Sequence, residues 1–197
     1  MLSADDIYQY LNGAWRLMRG KPDGVRLLDL SPDGFWNSFF AIVLALPALI
    51  LGWTGVAAEF SASETGTSAF SVVLRLAIVD LGSWILPLIA LAAAAPYAGV
   101  SDRFVHYVVA SNWGSALFAW MMLPVALLRF LMPSAGDFLI LVSLFVFGLS
   151  MVFSWRLTNA VIAKGPAVGT TVFAAMFVAS LFVLFTLQSL LGIQSAG

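Results

Sequence analysis

Four polar side chains within or near the ends of long apolar stretches are the residues best placed to do chemistry. Asp80 lies about ten residues into one stretch, which is about 15 Å along a helix. Asn112 lies at a comparable depth in the next stretch, so it is the expected partner of Asp80. Arg75 and His106 lie nearer the ends of the same two stretches. Charges far from water are costly and call for a structural or functional reason.

Two interpretations of Asp80 stay open. In the first, the carboxyl is protonated and forms a structural bridge between helices, because burial favours its neutral form. In the second, it relays a proton or a cation across the membrane.

Arg75 and His106 each have a simpler interpretation. The long Arg75 side chain can reach the membrane interface, where Glu59 or Glu64 is the expected partner. His106 either bonds to its own loop near Asp102 or acts as a proton entry site. The chain has a single histidine and no clustered carboxylates, so it predicts no metal site and no cofactor.

The composition predicts a membrane protein. The 197 residues are 61% hydrophobic and 10% charged, with a mean hydropathy of +0.99, whereas soluble domains carry about 25% charged residues. A net charge of −1 argues against nucleic acid as a partner. There is no cysteine and no recognisable catalytic motif, so an enzyme is not expected.

Hydropathy and turn residues predict an all-α membrane protein, a five-transmembrane-helix bundle with a short cytoplasmic amphipathic N-terminal helix. The loops are short, so consecutive spans are expected to be antiparallel neighbours. The spans are predicted at about 35–57, 70–96, 104–131, 138–155 and 169–191.

Lys and Arg residues predict the orientation. The side of the N-terminus holds most of them, and the other side holds only Arg75 and Arg129. The positive-inside rule then places the N-terminus in the cytoplasm and the C-terminus outside. The short soluble segments favour a bacterial inner (plasma) membrane. Trp36 and Trp53 are expected at the two interfaces of the first span.

Residues 1–34 are predicted to form a separate cytoplasmic helix and linker. An apolar stripe repeats at intervals of three and four residues. It either lies in the membrane interface, with Trp15 among the headgroups, or docks a partner protein. The stripe comprises Ile7, Leu11, Ala14, Trp15 and Met18.

The stretch from Asp29 to Trp36, which reads Asp-Leu-Ser-Pro-Asp-Gly-Phe-Trp, comes just before the first span. Asp33 is expected to cap that span, and Phe35 and Trp36 to anchor it at the interface. The stretch resembles the Asp-Leu-Tyr-Gly-Pro-Phe-Trp signature of the Yip1 family, with Ser31 in place of the tyrosine. The resemblance implies five spans and a cytoplasmic N-terminus. It also implies a membrane-organising role, which eukaryotic members carry out with Rab-type GTPases. The 34 residues before the first predicted span do not resemble the long polar N-terminal region of those members, so GTPase binding is not expected here.

Two functions follow from these observations. The favoured one is a Yip1-like membrane-organising or protein-interaction role without catalysis, in which Trp15, Asp29, Phe35 and Trp36 contact a membrane-protein partner or a second copy. The alternative is a small proton- or cation-coupled transporter or channel subunit that uses Asp80. In both, the lipid bilayer is the surrounding medium.

Overall fold

Helices make up nearly all of the described structure. The computed structural model describes residues 2–63, 68–131 and 136–193, and these ranges contain no β-strand. Short 3₁₀ turns occupy Pro22–Leu27 and Ser101–Arg103. The α-helices are α1 (Ala4–Met18), α2 (Pro32–Asn37), α3 (Phe40–Ser63), α4 (Ala69–Ala94), α5 (Phe104–Leu131), α6 (Gly136–Ile162) and α7 (Pro166–Leu190).

Among the described residues, the five helices α3 to α7 are long and apolar enough to cross a membrane, which matches the predicted number of candidate spans. The helix α6 runs seven residues past the predicted end at 155. Its polar last turns bond to their own backbone, since Thr158 donates to the Ser154 carbonyl at 2.8 Å and Asn159 to the Trp155 carbonyl at 2.9 Å. Polar side chains that satisfy themselves in this way do not end a helix.

The five long helices form a closed ring in the order α3, α5, α6, α7, α4. The prediction that consecutive spans pack against each other is wrong for α4 and α5, which touch only slightly. The helix α3 lies between them and packs on both. Chain direction alternates along the sequence, so α3 and α5 run parallel, while the other neighbours in the ring are antiparallel.

The outside of the ring is covered with large apolar side chains. A soluble monomer rarely exposes continuous apolar surface on this scale, so the surface fits contact with lipid. Side chains of α6 and α7 that are more than half exposed include Phe138, Leu141, Leu144, Phe145, Phe182 and Phe185.

The helix α1 packs on the ring rather than standing apart from it. Ser3 accepts from the Asp6 backbone N–H, and the Asp6 carboxylate accepts from the Ser3 N–H, which forms a capping box at the start of the helix. Ala14, Leu17 and Met18 are fully buried, and α1 packs on α5, α6 and the 3₁₀ turn that follows it. The predicted separate unit 1–34 therefore shares the main hydrophobic core of the bundle.

Candidate functional site

A cavity of about 1240 Å³ opens between α3, α4, α5 and α6. Its lining comes from the middle and C-terminal parts of α3 and α5, from the N-terminal and middle parts of α4, and from the N-terminal part of α6. The cavity therefore extends from the middle of the ring toward the end away from α1. Most of the lining is apolar, and the cavity is partly open to its surroundings. The polar side chains on its walls include Asp80, Ser83, Ser115, Arg129 and Ser143.

Asp80 is held at the wall of this cavity by a tryptophan. The Trp53 indole Nε1 donates to Asp80 Oδ2 at 2.6 Å, which joins α3 to α4. Trp53 is buried between helices rather than on the outer surface, and its predicted depth at an interface stays a prediction. The ring order explains the pairing, because α4 packs on α3 rather than on α5.

The predicted partner, Asn112, bonds elsewhere. Trp84 Nε1 donates to Asn112 Oδ1 at 2.9 Å, and Asn112 Nδ2 donates to Ser38 Oγ at 2.9 Å. The Ser38 hydroxyl in turn donates to the Phe35 carbonyl at 2.7 Å. Asn112 is fully buried and fixes the Trp84 side chain through this chain of hydrogen bonds. It therefore positions Trp84 rather than Asp80.

The Arg75 side chain reaches the end of the ring, where its described partner is a backbone carbonyl rather than an acidic side chain. Its Nη1 donates to the Leu191 carbonyl at 3.1 Å, just after the end of α7. Glu64 and the Glu59 side chain, the two partners expected for Arg75, lie outside the described residues. This bond gives the guanidinium a partner at a helix C-terminus, where a positive charge is favoured.

His106 lies in the first turn of α5 and lines neither this cavity nor the smaller one described below. Its Nδ1 is buried and has no hydrogen-bond partner within the described ranges, so the expected bond from that atom to the nearby loop is not formed. Asp102 instead pairs with Lys164 at 2.6 Å, and Lys164 also donates to the Gly99 carbonyl at 2.6 Å. Lys164 thus joins the loop after α6 to the loop before α5.

The stretch from Asp29 to Trp36 forms a capped turn into the ring. Asp29 Oδ1 accepts from the Ser31 N–H at 2.9 Å, and Ser31 Oγ accepts from the Gly34 N–H at 3.1 Å. The N-cap is therefore Ser31, not the predicted Asp33, and the helix begins at Pro32. Gly34 lies so close to the Asp29 carbonyl that a Cβ at this position would overlap its oxygen.

The aromatic residues assigned to partner contact lie in different surroundings. The Phe35 ring packs on Phe104, with ring centroids 6.2 Å apart, whereas Trp36 is 70% exposed. Trp15 lies edge-on to Phe153 of α6, with ring centroids 5.5 Å apart, and is 38% exposed. Of these three, Trp36 presents the largest exposed fraction.

A second cavity of about 160 Å³ lies between α4, α5, α6 and α7. It is lined by seven hydroxyl-bearing side chains together with apolar and aromatic residues. Four residues, Ser83, Trp84, Ser115 and Phe118, line both cavities. The hydroxyl groups belong to Ser83, Tyr107, Ser111, Ser115, Ser154, Thr158 and Ser180.

Neither cavity has the ligands of a metal site. Among the described residues, no group of three or more His, Asp or Glu side chains could hold a metal ion. The site instead combines one carboxylate, one guanidinium and several hydroxyl groups in apolar surroundings. These groups can bind protons, water or small ions, but they offer no nucleophile paired with a base.

The sequence did not single out Trp53 and Trp84 as site residues. Each lies within a span and carries one N–H, which needs an acceptor when buried. Asp80 and Asn112 are the acceptors. The available signal was a tryptophan within one predicted span and an acid or amide within another, because a buried indole N–H needs such an acceptor.

Comparisons with protein-family models, with curated proteins and with solved structures give no match to this chain. The Yip1 resemblance therefore stays a prediction.

Proposed function

We propose that this protein is a small integral membrane transporter or channel subunit that takes up a proton or small cation at Asp80. The observation that carries the proposal is the position of Asp80 on the wall of the 1240 Å³ cavity. A carboxylate that served only as a structural bridge would not need an open space beside it.

The hydrogen bonding of Asp80 supports this role. Trp53 supplies one N–H, whereas an ionised carboxylate offers about four lone-pair positions. Water or a bound cation in the cavity can satisfy the others. A proton can do the same by neutralising the group, so Asp80 is suited to exchange between these states.

The charge distribution supports uptake from outside the cytoplasm. Arg103, Arg156 and Lys164 belong to the same end of the ring as α1, which the positive-inside rule assigns to the cytoplasm. The large cavity belongs to the other end. In this orientation, which we propose for a bacterial inner membrane, the cavity admits its ligand from the external side.

Flux through proteoliposomes tests the proposal. The purified chain is reconstituted into liposomes that contain a pH-sensitive dye or, separately, a dye that reports K⁺ or Na⁺, and uptake is measured under gradients of H⁺, K⁺ and Na⁺. Asp80→Asn keeps the size of the side chain and an acceptor for Trp53, so the fold should persist while flux is lost. Unchanged flux in that variant would overturn the proposal.

A matched pair of glycines separates cavity access from folding. A Cβ at Gly55, on the cavity wall, or at Gly148, away from it, meets no atom within 4 Å. Gly55→Leu should obstruct the cavity and reduce flux, whereas Gly148→Leu should leave flux unchanged. Equal effects of the two substitutions would show that the cavity is not the route.

A Yip1-like interaction role is the second candidate, and the exposure of Trp36 favours it. Trp36 is 70% exposed in the segment that carries the family resemblance. Photo-crosslinking from position 36 in membranes should then capture a protein or a second copy. Labelling of lipid alone would count against this role.

A further inference from the structure

We propose that the smaller, serine-lined cavity is a hydrated chamber that continues the route beyond Asp80, and that the species carried is a proton. This inference rests on the proposed function and specifies its substrate. From here on, the 160 Å³ cavity is called the inner chamber and the 1240 Å³ cavity the outer cavity.

The lining of the inner chamber favours water. At about 30 Å³ per molecule, 160 Å³ has room for about five waters. Apolar cavities of this size stay dry, whereas polar ones bind water that satisfies buried groups. Ser83 Oγ is buried and has no hydrogen-bond partner in the described part of the chain, so a water in the chamber would supply one.

The two cavities are separated by a single layer of side chains. Trp84 and Phe118 contribute bulky rings to both linings, and Ser83 and Ser115 contribute hydroxyl groups. Asp80 lies on the outer side of this layer, less than one helical turn from Ser83. The Asn112 bond to Trp84 Nε1 fixes one of the two rings. A proton can pass such a layer through hydroxyl groups and water, whereas a larger solute requires a ring to move.

The chemistry of the inner chamber favours a proton over a metal cation. Its lining includes seven hydroxyl groups but no Asp, Glu or His side chain. A desolvated cation would have no charged ligand there, and its burial would be costly. A proton moves along hydrogen-bonded water without leaving the water file. The far end of the chamber is formed by Tyr107 and Thr158, about one turn from the α1 end of α5 and α6.

The chain contains no cysteine, so single cysteines report water access directly. Ser180→Cys and Ser154→Cys probe the inner chamber, Ser143→Cys probes the outer cavity, and Ser150→Cys is a control that lines neither. The probe is a small methanethiosulfonate reagent, which reacts with the thiolate that forms in contact with water. We expect both inner-chamber cysteines to react about tenfold or more faster than Ser150→Cys.

Opening the dividing layer sharpens the test. Adding Phe118→Ala or Trp84→Ala to Ser180→Cys should speed its reaction with a membrane-impermeant reagent applied from the external side, and should leave Ser150→Cys unchanged. Two alternatives are included so that misfolding of one still leaves a test. Inner-chamber cysteines that react no faster than the control, with and without these changes, would show a dry chamber and overturn the inference.

The flux assay keeps the two proposals distinguishable. Flux that depends on Asp80 in a protein whose inner chamber is dry would overturn this inference and leave the proposed function standing. Uptake that requires K⁺ or Na⁺ and moves no protons would also overturn it. If the inner-chamber cysteines react quickly but Asp80→Asn leaves the flux unchanged, the proposed function is overturned instead.

Discussion

The two ends of the ring are built differently. At the α1 end, α1 packs on α5 and α6, and the bonds among Ser38, Trp84 and Asn112 connect α2, α4 and α5. Toward the other end, α3 to α6 line the outer cavity, and Asp80 faces it with one tryptophan as its described partner. A second buried cluster, which includes Trp53, Val72 and Leu76, also lies there. Among the described residues, packed side chains fill the α1 end, whereas the other end combines this cluster with a partly open cavity.

The largest expected effect on stability comes from a substitution in the buried face of α1. Met18 is fully buried, so Met18→Ala should lower the free energy of unfolding by about 2–5 kcal/mol through lost burial and a new void. Leu144→Ala, at a side chain that is 60% exposed, should change it by less than about 0.5 kcal/mol. Thermal unfolding in detergent compares them. Similar losses for both would contradict the view that α1 is part of the core.

The Asn112 network should be the next most sensitive feature. Asn112 is fully buried, and Asn112→Ala leaves the part-buried Trp84 N–H without its acceptor, at a cost of about 1–3 kcal/mol. Trp84→Phe in the same background removes the stranded donor and should recover part of the loss. The measurement is unfolding of the single and double variants. Additive losses would show that the two residues do not act together.

Glycine-to-alanine changes should have opposite signs at the two ends. At Gly34 a Cβ would overlap the Asp29 carbonyl, so Gly34→Ala should destabilise by about 1–3 kcal/mol. At Gly55 a Cβ meets open space inside a helix, so Gly55→Ala should stabilise by about 0.5–1 kcal/mol. The melting temperatures of the two variants give the signs. A lower melting temperature for Gly55→Ala would mean that the space beside Gly55 is too small for a methyl group.

The smallest expected effect is the loss of the Arg16–Asp23 pair, in α1 and the segment after it, at low pH. Arg16 hydrogen-bonds to Asp23 and lowers its pKa below the ordinary 3.8. A lowered folded-state pKa stabilises above the unfolded value and is lost as the pH falls through the folded one. Hydrogen exchange of residues 4–28 should therefore change little from pH 7 to 5 and speed up, relative to Asp23→Asn, below about pH 4. Matching profiles for the two proteins would show that this pair contributes nothing.

The sequence predicted the positions of the helices better than it predicted which helices pack against each other. The span 104–131 coincides with α5 because hydropathy and length depend only on local residues. The pairing of Asp80 with Asn112 was wrong because equal depth does not determine which helices touch. Short loops suggested that α4 packs on α5, but α3 lies between them. The open cavity beside Asp80 could not be predicted, since it depends on how far the helices diverge.

The docking of α1 has a consequence for how the protein is made. Met18 rests beside Gly114 and near Leu157, which leave the ribosome long after α1 does. Chains are synthesised from the N-terminus, so α1 has no docking surface until α5 and α6 have been made. During that interval its apolar stripe needs a temporary cover, such as the bilayer surface. The helix α1 is synthesised before α3 to α7 and then reaches its final place only after α5 and α6 are available.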